Sequence, residues 1–351
     1  MERQLTALFD DYSGNHNFSG AVLIQNSEQT IFEQAYGFAH RGFCVPNTVH
    51  TMFDTASVTK LFTAAATLQL ADQGKLRLGD RITEILDLTG TRIPADVTLS
   101  QLLTHTSGIA DDADEELGES YEALFISKPN YAIRNCGDFL PQFAYKEPKF
   151  KAGTDVSYNN CAFVLLGLAI EKATGGDYRD YVVQHIFRSC GMNNTAFSAK
   201  DDGDAPVAEG YAKVQAEDGS SMWRKNIYAY PPIGTSDGGA YTTVGDLDRF
   251  MRALAQGKLL SDELTQAIMK PQTNITRDYH WGKVINGFGF HFAYDQSGKL
   301  IRMYKEGSNA GVAAMFAYYP ELETTNVILA NQTCNVWELH WKAEQLIFMA
   351  H

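Results

Sequence analysis

Three short residue sets carry reactive side chains at spacings that suit catalysis. The first is Ser57-Val58-Thr59-Lys60. Residues three apart on a helix share a face, so the Lys60 amine can approach the Ser57 hydroxyl. A serine hydroxyl is a poor nucleophile until a base takes its proton, and a neutral lysine can take it. A helix N-terminus also favours negative charge developing there. Roughly one S-x-x-K is expected by chance in a chain of this length. Alone, the set reads as well as a capping serine and a solvated lysine. The second set is Tyr158-Asn159-Asn160. The phenol can relay a proton when nearby cations lower its pKa, and the Asn amide can hold a substrate carbonyl or the Lys60 side chain. In isolation it reads equally as a buried tyrosine beside a capping asparagine. The third is Lys305-Glu306-Gly307, closing a strand-like run. The lysine can hold an anion or depress the tyrosine pKa, and the glycine lets a substrate lie along the strand edge. Lys151-Ala152-Gly153 has the same K-x-G form, so that pattern discriminates little by itself.

Two further segments invite a nucleophile reading and are weaker. Gly234-Thr235-Ser236-Asp237-Gly238 matches G-x-S-x-G. That elbow needs an apolar strand before it and a helix directly after. Here Pro231-Pro232 precede it and five residues intervene before the next helix, so Ser236 reads as a structural loop residue. His105, within Leu103-Thr104-His105-Thr106, reads as a hydrogen-bonded structural residue.

The elements that must position these residues follow from periodicity. Leu5, Leu8 and Phe9 predict an N-terminal amphipathic helix, and Gly20 to Gln25 with Gln29 to Tyr36 predict a hairpin. Leu61 to Asp72 keeps helical spacing, with Gly74 as terminator. Helices are also predicted from Ser100, over Cys161 to Thr174 before Gly175-Gly176, over Val244 to Ala255 behind a Thr243 cap, and over Asp262 to Met269 behind Ser261. Asp111 to Ser120 and Asp201 to Ser221 are acidic and turn-rich, and predict exposed loops. Phe288 to Tyr294, Lys299 to Tyr304, Val312 to Tyr319 and Asn326 to Ala330 read as strands with short turns, hence antiparallel. Trp337 to Met349 reads as a final amphipathic helix. The expected class is α+β: one antiparallel sheet built from both chain ends, flanked by terminal helices, with a mainly helical domain inserted. The expected division is 1–75 with 280–351 for the sheet domain and 76–279 for the helical domain.

Composition narrows the function. The chain has 351 residues, 44% hydrophobic and 20% charged, ample for a core in two domains or one large one. Lys and Arg number 29 against 42 Asp and Glu, a net charge of −13. That balance argues against a nucleic-acid partner or a polybasic membrane surface. No apolar run approaches the ~18 residues of a membrane span. No charged n-region with an apolar block opens the chain, so a cytoplasmic location is expected. Five widely spaced cysteines without C-x-x-C predict reduced, mostly buried thiols, and nine scattered histidines without H-E-x-x-H predict no metal site.

Taken together, S-x-x-K, Y-x-N and K-x-G in this order resemble the serine β-lactamase and penicillin-binding-protein superfamily. Leu102-Leu103-Thr104-His105-Thr106-Ser107-Gly108 and Ser236-Asp237-Gly238-Gly239-Ala240-Tyr241-Thr242-Thr243 are similar to segments of its class C β-lactamase and D-alanyl-D-alanine carboxypeptidase branch. The resemblance implies a serine hydrolase working through an acyl-enzyme, without a cofactor or metal. Ser57 would be the nucleophile, and Lys60 and Tyr158 would share the base and acid work. Asn160 would orient the substrate, and Lys305 would assist Tyr158 or bind an anion. Gly307 and Ser308 would complete the substrate edge, with the Ser57 and Ser308 amides forming an oxyanion hole. Glu306 departs from the small or hydroxyl residue usual there and puts recognition of a substrate carboxylate in question. Asn159 also departs, harmlessly. The expected substrate is a small molecule or short peptide bearing an ester or amide. A D,D-peptidase or β-lactamase is the alternative, and a catalytically inactive binding protein of the same fold is the alternative of another class. Oligomeric state and natural substrate are open at this point.

Overall fold

Strand alternation gives the main sheet two apolar faces, and each face has its own cover. The computed structural model describes residues 1–114, 118–119, 121–216 and 218–350. Eight strands form the sheet: β1 (Gly20–Gln25), β2 (Thr30–Tyr36), β3 (Thr276–Tyr279), β4 (Gly282–Asn286), β5 (His291–Asp295), β6 (Leu300–Asn309), β7 (Val312–Tyr319) and β8 (Thr324–Ala330). Their order is β2-β1-β8-β7-β6-β5-β4-β3, every neighbouring pair antiparallel. Both chain ends thus contribute, and they meet where Gly20 of β1 faces Ala330 of β8.

Val22 and Ile24 of β1, Met315 of β7 and Ile328 of β8 point to one side. There they pack with Leu5 and Phe9 of α1 (Glu2–Asn15) and with Leu339 and Ile347 of the C-terminal helix (Val336–Phe348). Ala21, Leu23, Phe316 and Leu329 point to the other side and join the larger core of the helical layer. Each such buried side chain contributes about 1.5–3 kcal/mol relative to exposure. A one-residue slip would exchange the two faces, so the register is strongly specified.

Two helices of that layer carry candidate site residues, and a third packs against them. α2 (Lys60–Asp72) continues from a 3₁₀ turn at Ala56–Thr59 and is buried on nearly all sides, Lys60 included. A helix apolar all round belongs in a core rather than at a surface. α3 (Asn160–Thr174) starts at Asn159, whose side chain accepts from Ala162 N at 2.6 Å. It stops at Gly175, which takes the left-handed φ of 71° that glycine tolerates. α4 (Val244–Ala255) starts at Thr243, which accepts from Asp246 N at 3.1 Å. The C-terminal helix is α5.

Several expectations need correction. Asp111 and Asp112 are buried, not exposed. Asp111 accepts from Asn160 N at 2.9 Å and Cys161 N at 3.0 Å, filling the open N–H groups of α3. The Asp201 to Ser221 stretch contributes Tyr211–Gln215 to a hairpin with Ser221–Lys225, and Tyr211 is buried. Residues 115–117, 120 and 217 of those two stretches lie outside the described residues. β5 begins at His291 rather than Phe288, because Gly289 has a φ of 77° and its N–H bonds Leu103 O at 3.1 Å. β3 and β4 were not anticipated. They are largely polar and half-exposed, so no apolar period marks them. Among the described residues no helix is long and apolar enough to cross a membrane. Of the five cysteines, Cys136 and Cys161 are buried, Cys190 and Cys334 partly so, and Cys44 is exposed.

Candidate active site

β6 presses its backbone against the turn that carries Ser57. A Cβ on Gly307 would lie 2.1 Å from Thr55 O and 3.1 Å from Ser57 N, so glycine alone permits this approach. The turn is held from the other side too. Ala56 has a φ of 43°, strained for a residue with a side chain. Asp54 Oδ1 accepts from Ala56 N at 2.8 Å, and Ala56 O accepts from Gly239 N at 3.2 Å. The strain is therefore spent at the residue preceding Ser57, where the surrounding bonds fix the backbone.

The predicted side chains converge on the Ser57 hydroxyl. Tyr158 OH donates to Ser57 Oγ at 2.6 Å, and Lys60 Nζ donates to it at 3.2 Å. Lys60 also donates to Asn160 Oδ1 at 2.6 Å and to the Asp237 carbonyl at 2.5 Å. Asn160 therefore grips the lysine, one of the two roles its amide could play. Lys305 Nζ lies 4.6 Å from the Tyr158 ring centre and Lys60 Nζ 5.0 Å from it. Both lysines are 0% exposed. Two cations on one aromatic ring favour negative charge on the phenol oxygen.

Lys305 is held by a residue that the sequence did not single out. Its Nζ lies 3.3 Å from His291 Nε2, and His291 Nδ1 lies 2.8 Å from Asn286 Oδ1. An Asn oxygen only accepts, so the imidazole proton sits on Nδ1 and Nε2 accepts from Lys305. Burial lowers the His291 pKa to about 4 against the pull of Glu306, and Lys305 lowers it further. His291 is thus neutral at pH 7. His105 stacks on Tyr158 with ring centres 4.7 Å apart and accepts from Asn159 N at 3.2 Å. Burial, with Lys305 and His291 nearby, holds it neutral as well. Its structural role agrees with the sequence reading.

Glu306 faces the flank of this cluster. Its neighbours 305 and 307 point toward Tyr158 and Ser57, so alternation along β6 turns Glu306 the other way. It is paired across the sheet with Met315, which belongs to the α1–α5 side. Its carboxylate nonetheless reaches 3.6 Å from His291 Nε2 and 3.9 Å from Lys305 Nζ. Burial raises its pKa, but the charge of Lys305 outweighs that and keeps it below the usual carboxylate range. Glu306 is a counter-ion to Lys305 and does not line the cleft at Ser57. That cleft is bounded by Asp54, Ser57, Asn160, Tyr230, Ser308 and Asn309.

Ser236 is not accessible to a substrate. It is fully buried, its Oγ is 3.3 Å from Cys136 Sγ, and it presses on α3 where a Cβ at Gly167 would meet its Oγ at 2.3 Å. Its neighbour Asp237 matters through its carbonyl, which holds Lys60. The cluster among the described residues that could offer metal ligands is Asp111, Asp112 and Cys161. Asp111 already caps α3, and burial keeps the Cys161 thiol protonated, so this set suits a helix cap better than a cation. His291, Asp237, Asp54 and Asp111 were missed by motif reading. A polar His291 between the buried Phe290 and Phe292 was the one local signal.

Comparison with known proteins places the chain in a family. The beta-lactamase family profile matches residues 5–344. The crystal structure of a penicillin-binding protein from Bacillus halodurans superposes with a TM-score of 0.88 at 35% identity, covering 97% of this chain and 99% of that one. Penicillin-binding protein 4 of Amycolatopsis lactamdurans is 26% identical over 336 residues, 92% of this chain and 82% of the relative. The D-alanyl-D-alanine-carboxypeptidase/endopeptidase AmpH of Escherichia coli K12 is 27% identical over 333 residues, 89% and 80%.

Proposed function

Since the chain belongs to the beta-lactamase family, we propose that it is a serine hydrolase that cleaves an ester or amide through an acyl-enzyme on Ser57. The observation that carries this is the pair of hydrogen bonds on one hydroxyl, from Tyr158 at 2.6 Å and Lys60 at 3.2 Å. Both distances lie within reach for proton transfer.

In this reading Ser57 Oγ attacks the carbonyl carbon and its proton passes to the Lys60–Tyr158 pair. The carbonyl oxygen becomes an oxyanion between the Ser57 and Ser308 amides, which Gly307 allows to approach each other. Tyr158 then protonates the leaving alcohol or amine as the carbon–heteroatom bond breaks. Water enters and gives a proton to Tyr158 as its oxygen attacks the acyl carbon; the bond from that carbon to Ser57 Oγ then breaks, Tyr158 passes the proton to Oγ, and the carboxylic acid leaves. Lys305 is buried over the Tyr158 ring, which favours assistance to the tyrosine over direct capture of an anion. Ser57 and Lys305 come from the proposed sheet domain (1–75 with 280–351), and Tyr158 and Asn160 from the proposed helical one (76–279). The cleft lies between them.

The substrate is a small molecule or short peptide. A D,D-peptidase or β-lactamase is the second reading, favoured by the names of the relatives. Incubation with a fluorophosphonate, read by intact-mass spectrometry and peptide mapping, tests the proposal. One adduct on Ser57 supports it. An unmodified protein that also turns over no nitrophenyl ester returns the chain to a non-catalytic binding role.

A further inference from the structure

The face of the sheet opposite Ser57 carries a second groove. The terminal helices α1 and α5 pack over the β2-β1-β8-β7 half of the sheet. Beside α5 the outer face of β6 and the β3–β4 turn is left to form a groove of about 480 Å³. That volume lies in the range of roughly 300–1,000 Å³ usual for small-ligand sites.

Its walls are aromatic. Tyr279 and Trp281 stack with ring centres 5.1 Å apart, and Tyr304 meets Trp337 edge-on at 5.9 Å. Trp337 and Trp341, one helical turn apart on α5, are each 44% exposed. Three of the four tryptophans of the chain line this one groove.

Its floor is polar and incompletely satisfied. Arg302 is 4% exposed and lies between the Trp281 and Tyr304 rings. Its Nη1 takes both Glu344 oxygens, at 2.8 and 2.9 Å, while its Nε has no hydrogen-bond partner. His340 is 1% exposed, and its Nε2 also lacks a partner. Asn326 Nδ2 donates to His340 Nδ1 at 3.1 Å, so the imidazole proton sits on Nε2. Two buried N–H donors without acceptors cost free energy unless a ligand or ordered water meets them.

We infer that this groove binds a neutral saccharide, its ring stacked on the tryptophans and its oxygens accepting from Arg302 and His340. The charges select that class. Glu344 neutralises Arg302, and Lys342 pairs with Glu338 at 2.8 Å, so no net charge is offered to an ion. Donors on the floor disfavour a cation despite the aromatic walls. A pyranose has apolar C–H faces that suit the electron-rich ring faces and a perimeter of acceptors for the N–H groups. The Asn335 and Glu338 side chains at the rim can take its hydroxyl protons. The inference does not depend on acyl transfer at Ser57.

Titration of the full chain with trisaccharides of glucose, galactose and N-acetylglucosamine tests it by tryptophan fluorescence and calorimetry. At least one is expected to bind saturably, with a Kd between about 10 μM and 1 mM. Trp337→Ala and Trp341→Ala should each weaken it tenfold or more and leave nitrophenyl ester turnover unchanged. Trp223→Phe, outside the groove, should keep both the signal and the affinity. The inference is overturned if no sugar binds below about 10 mM, or if binding survives both α5 substitutions. It is also overturned if the wild type forms a dimer that Trp341→Ala dissociates, since a second copy would then own the groove.

Discussion

The Lys305 ammonium lies 4.6 Å from the centre of the Tyr158 ring, sealed from solvent. Together with Lys60 it brackets the phenol whose hydroxyl reaches Ser57. Tyr158→Phe keeps the ring and removes the proton carrier. Ester turnover should fall by about 10²–10⁴-fold, the usual worth of a general acid/base. Substrate binding should change little. Wild-type rates of acylation and deacylation in single-turnover experiments would remove Tyr158 from the proton path.

Ser57→Ala should abolish fluorophosphonate labelling, and Ser236→Ala should retain it. Ser236 sits behind α3 against Cys136. Its loss should cost only about 1 kcal/mol, the net worth of one hydrogen bond. Labelling that persists in the first variant and vanishes in the second would move the nucleophile to Ser236.

Gly307→Ala tests the contact between β6 and the nucleophile turn. Its methyl would meet Thr55 O and Ser57 N, so the strand or the turn must move. We expect destabilisation of about 1–3 kcal/mol, as for overpacking. Acylation should be lost more completely than the folded population. A variant that acylates at the wild-type rate would show that the approach is slack in solution.

Glu306→Thr removes the counter-charge of Lys305. With that negative charge gone, the field of Lys305 should favour an anionic substrate, raising the second-order acylation rate of a penicillin by about tenfold, or 1.4 kcal/mol. A neutral nitrophenyl ester should respond little. Equal responses of the two substrates would show that Glu306 acts through packing. Efficient hydrolysis of several penicillins by the wild type would favour the β-lactamase reading.

The buried neutral histidines set a pH dependence. Burial depresses the His291 pKa to about 4, below its unfolded value of 6.5. The unfolded chain therefore binds the proton first as pH falls. Stability from this group is complete above about pH 6.5 and is lost progressively toward pH 4. His105 and His340 act in the same direction. The buried Asp54 and Asp111, whose pKa values burial raises, act in the opposite one. Comparing His291→Asn with the wild type isolates one share: Tm should fall more steeply between pH 7 and 5 in the wild type. Parallel profiles would mean that His291 takes up its proton alike in the folded and the unfolded chain.

The site was legible where local chemistry is self-contained. Ser57 and Lys60 share one helix face, Asn159 and Thr243 stand where caps belong, and Gly175 ends its helix as glycine does. It was illegible where the meaning of a residue depends on a distant partner. Asp111 looked like part of an acidic loop, because the helix start it caps lies 49 residues on. His291 has no motif, since only the pairing of β5 with β6 brings it to Lys305. Glu306 was read as bearing on a substrate carboxylate from its place beside Lys305, whereas the alternation of β6 turns it to the other face, where it meets Lys305 as a counter-ion. β3 and β4 are polar edge strands, and a half-exposed edge leaves no apolar period to read.

The seam between β1 and β8 sets a condition on how the chain can mature. Gly20 pairs with Ala330, and Asn331 ties the end of β8 to Ser19, Phe38 O and Glu209 O. During synthesis β1 emerges early and must wait about 300 residues for its central partner, at roughly 5–20 residues per second. Until then β1 and β2 stand as a hairpin with both edges open, too small to be stable alone. Contacts this distant close slowly, because the chain between their ends loses its freedom before the contacts repay it. The Ser57 turn leans on β6, so the nucleophile cannot be set before that late closure. Nascent chains arrested before residue 324 should accordingly be protease-sensitive and inert to the fluorophosphonate, and assembly of the reactive serine should coincide with the last step of folding.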